Sequence, residues 1–110
     1  MKSIYRLKKN YQYNYVYKHA SSVCDKNFVL LYCDSNAKQS KVGFSVSKKY
    51  GKAVKRNRVR RQLKAAVSTV MPNARECFNA VFIPRRHDAY DYDEILTSVR
   101  HLFEKAGLLQ

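Results

Sequence analysis

The chain has 110 residues, enough for one domain built on one core, and 45% of them are apolar, as in an ordinary globular protein. No apolar run approaches the ~18 residues that span a bilayer, and MKSIYRLKKN at the amino terminus has no apolar segment behind its charges, so a single cytoplasmic domain over residues 1–110, off the membrane, is expected. Lys plus Arg number 22 against 8 Asp plus Glu, a net charge of +14 that calls for a polyanionic partner.

The stretch NYQYNYVYKHA (10–20) places tyrosine at 11, 13, 15 and 17, the alternation of a half-buried strand. Tyr13, Val16, Tyr17 and Ala20 also fall at helical spacing, and the residues alone leave both readings open. NFVLLYCD (27–34) is a short apolar run of strand formers ending at the turn-prone DSNAKQS. KVGFSVSKK (41–49) alternates Val42, Phe44 and Val46 with small residues, the mark of a strand with one buried face. These two strands are expected to pair as an antiparallel hairpin.

Val59, Leu63, Ala66, Val67 and Val70 form one helical stripe. Extending the wheel backwards puts Arg56 in the stripe and Val54 on the polar face, so the helix is expected to begin near Asn57, an N-cap residue type, with Lys55 and Arg56 in the preceding loop. Pro72 stops it, which predicts an end near Val70. CFNAVFIP (77–84) reads as a third strand, and RRHDAYD as a basic, polar loop. Asp91, with Glu94 three residues on, opens a last helix whose apolar face is Ile95, Val99, Leu102, Phe103 and Ala106, and Gly107 closes it. Leaving residues 10–20 aside, the order is β, β, α, β, α, an α+β class.

Cys24, Cys33 and Cys77 are odd in number and lack CxxC spacing, which argues against a disulfide framework or structural zinc; Cys33 and Cys77 are expected to behave as buried hydrophobes. His19, His87 and His101 share no metal-ligand spacing. Asp88, Asp91, Asp93 and Glu94 could be imagined as a magnesium site, but helix capping explains most of them. No nucleophile has an identifiable base partner and no glycine-rich phosphate loop is present, so the chain alone does not read as a catalyst.

Residues 35–75 hold twelve basic side chains and no acid, nine of them between Lys48 and Lys64. A solvated helix surface normally mixes signs, so this run reads as a phosphate-binding segment. Arg58, Arg60, Arg61 and Lys64 lie off the apolar stripe, and a helix amino terminus near Asn57 would aim free N–H groups at the same phosphates.

The segment GFSVSKKYGKAVKRNRVRRQLKAA (43–66) resembles the most characteristic part of the bacterial ribonuclease P protein subunit, its RNR motif falling on Arg56, Asn57 and Arg58. The likeness runs through nearly all of the chain: Arg6-Leu7, the aromatic pattern at Tyr13 and Tyr17, FVLLY, VFIPR and LTSVRHLFEKAGLL follow in the family's order. It implies a single-domain αβββαβα sandwich of the ribosomal protein S5 domain 2-like type, with a helix over residues 10–20 and a left-handed βαβ crossover. It implies a subunit of the ribonuclease P endoribonuclease that binds the catalytic RNA and the 5′ leader of precursor tRNA, one protein monomer per RNA. Hydrolysis would be performed by the RNA with magnesium that the RNA mainly holds, so this chain would carry no catalytic or metal-ligating residue.

Carried over by residue, Arg56, Asn57, Arg58, Arg60, Arg61 and Lys64 would contact the catalytic RNA, supported by Lys48, Lys49 and Lys52. Tyr13 and Tyr17 would line a leader cleft between the first helix and the sheet, with Tyr11 and Tyr15 as partly exposed aromatics. Facing them would be either Val29 and Leu31 or Phe28, Leu30 and Tyr32; we favour Val29 and Leu31. Ala20 stands where the family commonly has glycine, and tyrosine replaces the frequent phenylalanine at 13 and 17. A structural RNA-binding protein, such as a ribosomal component, is the alternative that charge alone would support, and the RNR segment argues against it. A self-sufficient protein nuclease is disfavoured by the missing catalytic constellation.

Overall fold

The computed structural model describes residues 5–85 and 90–110. Its elements run α1 (Asn10–His19), β1 (Ser21–Cys24), β2 (Phe28–Asp34), β3 (Lys41–Phe44), α2 (Ala53–Val70), β4 (Phe78–Pro84) and α3 (Tyr92–Lys105), the αβββαβα order that the family resemblance implies. His87 and Asp88 lie outside the described residues.

The four strands form one sheet in the order β1-β2-β4-β3. β1 pairs with β2 and β2 with β4 in antiparallel fashion, while β3 runs parallel to β4. The expected hairpin between residues 27–34 and 41–49 is therefore not formed: β4 lies between β2 and β3, and the true hairpin is β1-β2. β1 escapes a residue-level reading because SSVC has a single partly buried side chain, Val23, and is otherwise exposed. β3 is also shorter than its alternation suggests, ending at Phe44 and passing to a 3₁₀ turn at Lys48–Tyr50 that buries Tyr50.

Phe28, Leu30 and Phe82 face a core shared with Val59, Leu63, Val67, Val99 and Phe103 of α2 and α3. Aromatic rings run through it: Phe28 stacks on Tyr90 at 5.0 Å and Phe82 on Phe103 at 5.9 Å, and Phe78 meets Phe103 edge-on at 6.0 Å. The other sheet face is covered by α1, where Leu7, Val16 and Val81 are buried together.

The hand of β3-α2-β4 follows from the chirality of the residues. Phe82 faces α2, and its carbonyl accepts the Ser45 N–H on the β3 side. On a strand running upward, an L-residue whose side chain points at the viewer carries its N–H and C=O to the right. Seen from α2, β3 thus lies right of β4 and the chain moves leftward between them. The crossover is left-handed, against the strong general preference for the other hand.

Residues 10–19 are helical. The Gln12 side-chain oxygen accepts the N–H groups of Lys8 and Lys9, both at 3.1 Å, and caps the first turn, while Val16 is completely buried. A strand would have presented all four rings on one face, whereas the helix separates them.

α2 starts at Ala53, four residues before Asn57, with Lys52 at its N-cap. The wheel places Val54 outward and Arg56 inward correctly, but neither prevents the helix. Val54 is 80% exposed, and Arg56 runs its stem along the core edge so that Nη1 donates to the Gly51 carbonyl at 2.9 Å. Gly51, at φ 154°, makes the turn into the helix in a region open mainly to glycine. The expected end at Val70 is observed, a 3₁₀ turn at Met71–Asn73 following.

α3 begins after Asp91 as expected, although the Asp91 carboxylate makes no capping bond. Its far end is a Schellman turn: Gly107 has φ 73°, its N–H donates to Glu104 O at 3.1 Å, and the Leu108 N–H donates to Phe103 O at 2.9 Å. Cys33 and Cys77 are half-buried rather than buried, because Cys33 lies on the α1 face beyond the helix's full cover and Cys77 just precedes β4 at φ 66°.

Candidate nucleic-acid interface

The basic run is spread over three sides of one helix. Arg56, Arg60 and Lys64 recur every four residues along one flank of α2 and are half-buried. Asn57 and Arg61 form the exposed crest. Arg58 lies on the opposite flank, in a small depression with Tyr50, Lys55, Gln62 and Tyr90. Lys48, Lys49 and Lys52 are exposed in the segment leading to the helix. The nine expected residues thus divide among a flank, a crest, an opposite flank and an approach.

The arginines of the half-buried flank are held by hydrogen bonds to the body of the protein. Arg60 donates from Nη1 to Asn57 Oδ1 at 3.1 Å and from Nη2 to the Val46 carbonyl at 3.4 Å, which fixes the guanidinium between helix and sheet edge. Asn57 is thus a helix-interior residue that orients Arg60, and the positive helix end lies four residues back at Ala53, beside Lys52. Arg6 joins from the amino-terminal segment, which bridges in parallel to Val42 and donates the Leu7 N–H to the Val42 carbonyl at 3.2 Å. Burial pushes the Lys64 ammonium down from its usual pKa, and the neighbouring Arg6 and Arg60 push it further in the same direction. Lys64, Arg6 and Arg60 thus form one patch of mutually repelling positive charge.

Arg6 was not among the residues expected to bind RNA. Its available signals were the Arg6-Leu7 match and the absence of any acid before Asp25. Arg75, the last cation of the acid-free span, serves the fold instead, pairing with Asp34 at 2.8 Å and lying 5.6 Å from the centre of the Phe78 ring.

A groove of about 420 Å³ runs between α1 and the β3 end, lined by Asn14, Tyr13, Tyr17, Phe44, Val46 and Arg60 among others. Tyr13 and Tyr17 are neighbours on α1 with ring centres 6.3 Å apart, but their situations differ. The Tyr13 hydroxyl accepts the Phe44 N–H at 3.3 Å, and the ring lies over Gly43. Tyr17 is 46% exposed. Leu31 packs into the α1 cluster with Tyr13 and Ala20, and Val29 shares its strand face by alternation, whereas Phe28, Leu30 and Tyr32 face the main core. The favoured pair is therefore on the α1 side of the sheet, though neither residue lines the groove beside Arg60.

No group of three or more His, Cys, Asp or Glu side chains among the described residues is arranged to hold a metal ion, and the α2 cation cluster repels one. No helix among the described residues is long and apolar enough to cross a membrane.

A family model described as Ribonuclease P matches residues 1–107. The chain is 36% identical over 111 residues to the ribonuclease P protein component of Natranaerobius thermophilus, covering 100% of this chain and 96% of that one. It is 39% identical over 113 residues to that of Symbiobacterium thermophilum, covering 100% and 97%. Among solved structures, a Staphylococcus aureus RNase P protein superposes with a TM-score of 0.86 at 28% identity, covering 96% of this chain and 98% of that one. The RNase P protein of Thermotoga maritima gives 0.82 at 23% identity over 91% and 96%, a likeness of fold.

Proposed function

The chain belongs to the bacterial ribonuclease P protein family, subunits that work with the ribonuclease P RNA in an endonuclease complex maturing the tRNA 5′ end, and from that premise we propose how it acts there. It binds the catalytic RNA through Arg6 and α2 and receives the 5′ leader of precursor tRNA in the α1 groove. The observation that carries this reading is the position of Arg60, which belongs at once to the cation flank with Lys64 and to the groove wall with Tyr17. One guanidinium then meets phosphate at the junction of the two RNAs.

The roles divide by chemistry. Arg60, Lys64 and Arg6 neutralise backbone phosphates and release counterions, with Arg58, Arg61, Lys48, Lys49 and Lys52 extending the field. Tyr17 offers a ring on which an unpaired base stacks, a contact worth ~1–3 kcal/mol that tolerates any base, as a variable leader requires. Tyr13 shapes the groove floor, and Val29 and Leu31 supply its apolar continuation on the sheet. The chain supplies binding and orientation, while the RNA performs hydrolysis with magnesium that the RNA mainly holds. One protein monomer serves one RNA, in the cytoplasm.

The test is cleavage of labelled precursor tRNA by the ribonuclease P RNA at limiting magnesium, with and without this protein. The protein should raise the rate at the mature 5′ end. No protein-dependent gain would defeat the proposal, and cleavage by protein alone would move the chemistry to this chain.

A further inference from the structure

The groove leaves two of the four α1 tyrosines unused. Among the described residues, every tyrosine or phenylalanine that is exposed lies on this one helix: Tyr11 at 70%, Tyr15 at 52% and Tyr17 at 46%. At 100° per residue, Tyr11, Tyr15 and His19 follow one another on the flank opposite Tyr13 and Tyr17. Tyr15 and His19 are already tilted against each other with ring centres 4.4 Å apart. Lys8, Lys9 and Lys18 are exposed around the same helix, and no acidic residue precedes Asp25 in the sequence.

Rings interleaved with cations, with no acid in the helix or in the segment leading to it, match the chemistry of unpaired RNA rather than of an apolar protein face. We infer that the Tyr11–Tyr15–His19 flank of α1 is a second binding surface for single-stranded RNA, and that its occupant is the distal part of the 5′ leader. The inference rests on the leader reaching Tyr17, since continuity supplies the source: the two flanks are separated only by the width of one helix, about 10–12 Å. A leader that stacks on Tyr17 and continues around α1 meets Tyr15 next. Stacking on both flanks is indifferent to base identity, so a longer leader gains affinity without a required sequence.

The experiment measures holoenzyme affinity for two precursor tRNAs, with leaders of about 5 and about 15 nucleotides, lengths that bracket the reach of single-strand sites. A Tyr11→Ala, Tyr15→Ala protein should lose about 10-fold or more for the long leader and nothing for the short one. Tyr15→Phe, which keeps the ring, should bind the long leader as the wild type does. Melting curves check that the fold survives, as is expected for two exposed rings. Equal losses for both leaders, or no loss for either, would overturn the inference. Tyr17→Ala is the separate arm: it should weaken both leaders, and a Tyr17→Ala protein that binds both normally would remove the groove reading instead.

Discussion

The Tyr13 ring and Gly43 occupy one another's space: a Cβ added at Gly43 would stand 2.5 Å from the Tyr13 hydroxyl oxygen, the atom that accepts the Phe44 N–H at 3.3 Å. The glycine lets α1 dock on β3, and the phenol in return satisfies a backbone donor at the sheet edge. The residue that a leader cleft would use for stacking is thereby partly committed to the fold, which leaves Tyr17 as the exposed ring of the pair.

Gly43→Ala should displace Tyr13 and destabilise the protein by about 1–3 kcal/mol, as overpacking does. Tyr13→Ala should absorb much of that cost, so a double-mutant cycle by chemical denaturation will be non-additive. Strict additivity would mean that the two side chains do not compete for the same volume.

Gly107 offers the contrast. Nothing lies within 4 Å of a Cβ added there, and its φ of 73° is the only obstacle. Gly107→Ala should therefore cost about 1–2 kcal/mol through the backbone alone, with no change in RNA affinity. A loss of affinity in a folded Gly107→Ala protein would contradict this.

Lys64 gives the proposed phosphate contact a direct readout. Its lowered pKa means that the unfolded chain holds more protons than the folded one in an alkaline window between that value and the ordinary lysine value, so its contribution to stability rises with pH across the window and is constant below it. An RNA phosphate reverses the local repulsion, so binding should raise the Lys64 pKa and take up protons in the same window. NMR titration of the Lys64 side chain, free and RNA-bound, reads this; a pKa unmoved by RNA would place the phosphates elsewhere.

Arg56 and Arg61 should separate in their effects. Arg61 is exposed on the crest, so Arg61→Ala should leave stability unchanged and flatten the salt dependence of RNA binding by about 0.7–0.9 log unit for one lost phosphate. Arg56→Ala also removes the bond to Gly51 O that anchors the start of α2, so it should cost about 1–3 kcal/mol of stability as well. Denaturation curves and salt titrations of both variants decide this.

Long-range pairing explains what the sequence left hidden. Val59 to Val70 and Ile95 to Phe103 announce their helices because each stripe is written locally. β3 does not announce its neighbour, since β4 reaches it only after an 18-residue helix has folded back. β1 is polar, and it is a strand because β2 offers it an edge. The α2 start was misplaced because a long arginine can sit at a core edge with its charge on Gly51, a possibility that an apolar wheel does not register. Charge density marks α2 in the sequence, while Arg6 joins the cluster only through its bridge to Val42 and its effect on Lys64. The family resemblance, rather than the tyrosine alternation, identified α1 as a helix.

The proposed binding of the leader is most directly tested at Tyr17. Holoenzyme affinity should be measured for precursor and mature tRNA with the wild type and with Tyr17→Ala. One lost stack of ~1–3 kcal/mol predicts a loss of roughly 5- to 150-fold for precursor tRNA and none for mature tRNA. Equal losses for the two ligands, or an unchanged preference for the precursor, would contradict the account.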